Sequence, residues 1–175
     1  MQVEPVARFS ELTLDVKAAS AAGTVEGWVT TYGPPADRMG DVVIEGAFGL
    51  QKFERPLLYN HDTNRVIGKA LFEPRAEGTW LKGILAIDSP SVELKAEAMR
   101  ANELAKMGVL AFSFGYQTLV GKPNEHGGED IHKADVMEGS LVPIPANPRA
   151  LVMAAKSYLV KAGARHSSKD VDILT

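Results

Sequence analysis

Alternating apolar and polar positions run through most of this chain, and that period of two predicts strands. "ARFSELTLDV" (7–16) and "TVEGWVTTYG" (24–33) both alternate, with "AASAAG" as their connection. "GPPADRMGD" (33–41) is punctuated by Gly and Pro and reads as a surface loop. "IEGAFGLQKF" (44–53) has room for a short helix, weakened by Gly49. "RPLLYNHD" (55–62) reads as a strand with Pro56 at its start, where a missing N–H is tolerated. "RVIGKALFEPR" and "TWLKGILAID" follow as a hairpin joined by "AEG".

The period then changes. In "SPSVELKAEAMRANELAKMG" (89–108), Leu94, Ala98, Ala101 and Ala105 recur at helical spacing, with Leu104 beside them. Ser89 is the expected N-cap, Pro90 lies in the first turn and Gly108 ends the helix. "VLAFSFGYQT" (109–118) returns to alternation: Leu110, Phe112, Phe114 and Tyr116 form a bulky face, and Val109, Ala111, Ser113 and Gly115 a small one. "GKPNEHGGED" is a hairpin loop leading into the strand "IHKADVMEGSLVPIP". A second helix is expected in "NPRALVMAAKSYLVKAG" (147–163). Many short strands with two principal helices predict a β-rich α+β fold, a closed or nearly closed barrel flanked by helices. One domain is expected over residues 1–160, with 161–175 as a loosely held tail.

Composition narrows the function classes. The chain has 175 residues, 45% hydrophobic and 23% charged, with a net charge of −3 and no basic run, so no nucleic-acid partner is expected. With no cysteine, disulfide frameworks and thiolate metal sites are excluded. The first residues lack the charged and apolar regions of a signal peptide, and no apolar run approaches the ~20 residues of a membrane span. No membrane association is expected.

Ser113 is the residue that asks for an explanation. A strand serine is ordinarily satisfied by backbone or water, but one flanked on its face by small residues has the access that a nucleophile needs. Such a nucleophile needs a base and a group to orient that base. Of the four histidines, His166 is in the tail, and His126 and His132 belong to the polar hairpin. His61 ends the apolar strand face of Leu57 and Tyr59, which makes it the best base. For the acid, alternation groups Glu138 with His132, Ala134 and Val136, against Lys133, Asp135 and Met137. Glu138 is therefore preferred, with Asp62 second and Asp135 read as a surface residue.

Other chemistries fit less well. His126 and His132 with Glu129 and Asp130 have a spacing seen in zinc sites, yet "HGGED" is adequate as a hairpin without metal. "VIGKA" lacks the upstream glycine and the Ser/Thr of a phosphate loop. "AFSFG" lacks the first glycine of an esterase nucleophile elbow. No cofactor is expected.

"IEGAF", "LLYNHDTNRVIGKA", "LAFSFGYQ" and "MEGSLVPIPANPRA", in that order, resemble the tailed-bacteriophage prohead proteases, serine proteases of capsid maturation related in fold to the herpesvirus assemblins. The resemblance covers about residues 24–155. It implies His61 as base, Ser113 as nucleophile and Glu138 as third member, the residues chosen by the face argument. One departure is Gly139, where a bulkier residue is expected. The implied substrate is the scaffolding segment of the major capsid protein or a separate scaffold, cut inside the assembling prohead in the host cytoplasm, with self-cleavage. A homo-oligomer is compatible with the sequence. The competing class is a non-enzymatic capsid-interior scaffold on the same fold, which a serine-reactive probe would leave unlabelled.

Overall fold

The computed structural model describes residues 8–12 and 23–143. Eight strands and one helix follow in the order β1 (Arg8–Leu12), β2 (Thr24–Thr31), β3 (Val42–Val43), β4 (Phe53–Tyr59), β5 (Asp62–Pro74), β6 (Gly78–Leu85), α1 (Val92–Lys106), β7 (Ala111–Pro123) and β8 (Glu129–Val142). The strands form one curled sheet in the order β1-β7-β8-β4-β5-β6-β2, and β3 also pairs with β8. Its two ends, β1 and β2, come back into contact. The result is an α+β fold, a nearly closed half-barrel flanked by a helix, consistent with assemblin-like architecture. The expected second helix (147–163) and the tail lie outside the described residues.

The core fills the inside of the curl. The bulky face of β7 is buried at Phe112, Phe114 and Tyr116, as is Leu110 just before the strand. Phe48 meets Phe114 edge to face, with ring centroids 5.3 Å apart, and Phe114 stacks on Tyr116 at 5.1 Å. Across the sheet Phe53 stacks on Phe72 at 4.9 Å. Burial of these rings makes β7 one of the most firmly held strands, since each large aromatic removes much apolar surface from water. Helix α1 presents Ala98, Ala101 and Ala105 to this core, and those small side chains let it lie close against β5.

Three local expectations are corrected. Residues 45–48 form turns rather than a helix, because glycines 46 and 49 both adopt positive φ, outside the helical range. The N-cap of α1 is Ser91, whose hydroxyl accepts the Leu94 N–H, and not Ser89, which instead accepts the Ser91 N–H. Pro56 falls inside β4 rather than at its start. There β4 pairs with β5 alone, since its pairing with β8 begins only at Leu57. The Gly108 helix stop is observed at a φ of 74°.

Candidate active site

The chain crosses from β4 to β5 in the shortest way available. Tyr59 pairs with Asp62, leaving Asn60 and His61 as a two-residue turn with φ of 56° and 58°. Positive φ at both positions is the turn geometry that matches strand twist, and it normally selects Asn then Gly. A histidine in the left-handed region costs on the order of 1–2 kcal/mol. Two bonds to β8 hold the turn: Asn60 N–H donates to the Leu141 carbonyl at 2.9 Å, and His61 N–H donates to Ser140 Oγ at 3.2 Å. His61 is thus a turn residue docked onto β8, not the end of a strand face shared with Leu57 and Tyr59.

Ser113 lies in β7 directly opposite Ser140 of β8 and is fully buried. Directly paired residues point to the same face, with Cβ atoms roughly 5 Å apart. Further along the ladder, Gly115 pairs with Glu138 but Tyr116 pairs with Val136. Met137 is therefore the extra residue of a β-bulge, and the bulge reverses the alternation of β8. Val136 and Ala134 face the aromatic core with Tyr116, while Glu138 faces the other side with Ser140 and Ser113. The expected grouping of Glu138 with Ala134 and Val136 is corrected accordingly. Without the bulge the carboxylate would have been aimed into Phe114 and its neighbours, where an unpaired charge is prohibitive.

Glu138 is 8% exposed and both of its oxygens are engaged. Oε1 is 2.7 Å from His61 Nδ1, and Oε2 accepts the Ser140 hydroxyl at 2.7 Å. An ionised carboxylate can only accept, so Nδ1 carries the hydrogen. In the neutral ring that makes Nε2 the acceptor nitrogen, the tautomer a general base requires. The carboxylate lies over Gly115, where an added Cβ would stand 2.6 Å from Oε1. Gly115 therefore makes room for the acid. Gly139, the departure noted in the sequence, faces the core: a Cβ there would meet Leu81 at 2.9 Å and Ala70 at 3.0 Å. The bulk expected at this position comes from β5 and β6.

The structure brings His61, Glu138 and the Ser113 position of β7 to one face, using the β4–β5 turn, β7 and β8. The rival acids are elsewhere. Asp62 accepts the Asn64 N–H within its own turn, and Asp135 is an exposed partner of Arg55 at 3.4 Å. His126 lies in the loop before β8, organised by Asn124, whose Oδ1 accepts the N–H groups of His126 and Gly128, and His132 is in β8 itself. Among the described residues no group of three or more His, Asp or Glu is arranged to hold a metal. Sequence reasoning missed Ser140, and its position two residues after Glu138 was the available signal.

A family model described as Caudovirus prohead serine protease matches residues 11–163. No curated protein and no solved structure matches the chain.

Proposed function

Because the chain belongs to the caudovirus prohead serine proteases, peptidases of capsid maturation, we propose that Ser113, His61 and Glu138 carry its chemistry. The Ser113 hydroxyl attacks the scissile carbonyl while His61 Nε2 takes its proton, then returns it to the leaving amine. Water completes the cycle through the same base. Glu138 fixes the tautomer and stabilises the imidazolium formed at each transfer. The observation that carries this reading is the 2.7 Å contact between His61 Nδ1 and Glu138 Oε1, on the face to which Ser113 points. Nucleophile, base and orienting charge are all side chains, so the reading calls for no cofactor.

The family acts on phage structural proteins during maturation. Within that class, the reading takes the scaffolding segment of the major capsid protein, or a separate scaffold, as substrate. It places the reaction inside the assembling prohead and includes self-cleavage. The reading also takes residues 1–160 as one protease domain and 161–175 as a tail.

Ser113→Ala and His61→Ala should each abolish cleavage of the co-expressed capsid or scaffold protein, a loss on the order of 10⁴–10⁶ in kcat. Ser113→Ala should also lose labelling by a fluorophosphonate. Wild-type cleavage by Ser113→Ala would refute the assignment, and an unlabelled, inactive wild-type protein would favour the scaffold alternative.

A further inference from the structure

Ser140 is fully buried on β8 and uses its hydroxyl in two directions at once. Its hydrogen goes to Glu138 Oε2 at 2.7 Å, and its oxygen accepts the His61 N–H at 3.2 Å. Both directions are dictated by chemistry, because the carboxylate offers only acceptors and the amide only a donor. One oxygen atom therefore ties the acid, through its carboxylate, to the base, through its main chain.

The placement follows from the topology. The parallel pairing of β4 with β8 sets Leu58 against Ser140 and carries the next turn over it. The bulge at Met137 puts Glu138 on the same face, two residues back along β8. Ser140 faces Ser113 across the ladder, so two buried serines stand beside one histidine–glutamate pair. The hydrogen of Ser140 is already directed at a carboxylate, which suits a fixed donor rather than a nucleophile.

We infer that Ser140 is a positioning residue for the peptidase chemistry, an inference that rests on the reading of Ser113, His61 and Glu138 given above. By holding Oε2, Ser140 turns the carboxylate so that Oε1 meets Nδ1. By accepting the His61 amide, it holds the left-handed turn from which the imidazole projects. Removing the hydroxyl leaves a buried carboxylate oxygen without its donor and the turn without one of its two anchors. The penalty falls on orientation, and so on the maximal rate more than on affinity.

Ser140→Ala, Ser140→Thr and Ser113→Ala are compared with wild type by fluorophosphonate labelling, with the adduct mapped by peptide mass spectrometry. The low-field proton resonance of His61 Nδ1–H is followed in parallel. In Ser140→Ala, labelling at saturating probe should slow about 10- to 100-fold. The half-saturating concentration should hold, and the low-field resonance should shift or broaden. Ser140→Thr keeps the hydroxyl and should recover most of the rate, with the adduct on Ser113 in every active protein. Wild-type labelling by Ser140→Ala with an unmoved resonance overturns the inference, as does an adduct on Ser140. Equal slowing in folded Thr and Ala variants also overturns it, since packing would then be responsible. If the Thr variant fails to fold, Ser140→Cys must label at a rate between Ala and wild type, and a Cys variant no faster than Ala counts against the idea. Full labelling of Ser113→Ala would instead remove the underlying reading of the site, whatever the Ser140 variants do.

Discussion

Glu138 occupies the space that a side chain on Gly115 would need, its Oε1 only 2.6 Å from where a Cβ would stand. The crowding atom is the far end of a flexible side chain, so Gly115→Ala can be accommodated by moving the carboxylate. The fold should survive with a modest fall in Tm, while peptidase activity drops roughly 10²–10⁴-fold, as when the acid is misplaced. Calorimetry beside a cleavage assay checks the split. An Ala variant with full activity would mean that the acid needs no fixed position.

Glu138→Gln should cost roughly 10²–10⁴ in kcat, because an amide disturbs the tautomer without removing the attacking group. Asp135→Asn should be nearly silent. Its side chain is 58% exposed, and an exposed pair with Arg55 contributes at most about 1 kcal/mol. The two variants, assayed together, rank the acids, and the reverse order would transfer the role to Asp135.

The imidazole must be neutral to accept the serine proton. Protonation on the acid side therefore removes the active form, and kcat/KM should fall about tenfold per pH unit along that limb. The limb should disappear from the small residual rate of His61→Ala. A wild-type profile with no acid limb would exclude a histidine base.

Self-cleavage, part of the proposed function, should act on the segment after Lys161, "AGARHSSKDVDILT", which is polar and rich in small residues. We expect wild-type protein to trim itself within about residues 155–170, and Ser113→Ala to stay full length. A cut made in cis should proceed at a rate independent of dilution. Intact-mass measurements at several protein concentrations test both points. A wild-type chain that keeps Thr175 while still cutting its capsid substrate would end the trimming idea alone.

The strands that hold the site were legible because burial on one face enforces alternation. The bulky face of β7 and the hairpin β5–β6 needed nothing more. Glu138 was selected for the wrong reason. Strict alternation grouped it with Val136, and only the extra residue at Met137, which leaves no mark in apolar patterning, turns it toward Ser113. His61 was misplaced by a related blindness. "NH" lacks the glycine that announces a two-residue turn, and what secures it there is Leu141 and Ser140, about 80 residues further on. The two serines before α1 differ only in which one reaches a free amide of the first turn, a matter of backbone path rather than residue type.

The parallel pairing of β4 with β8 also sets a clock. His61 is separated from Glu138 by 77 residues, and the strand carrying the acid is the last of the described elements to leave the ribosome. A nascent chain that has made only β4 and β5 holds its imidazole in a turn with neither anchor nor counter-charge. At about 5–20 residues per second of synthesis, that interval lasts several seconds. On the reading proposed above, a chain at that stage still lacks Ser113 and Glu138, so cutting waits until β7 and β8 have been made and β8 has paired with β4.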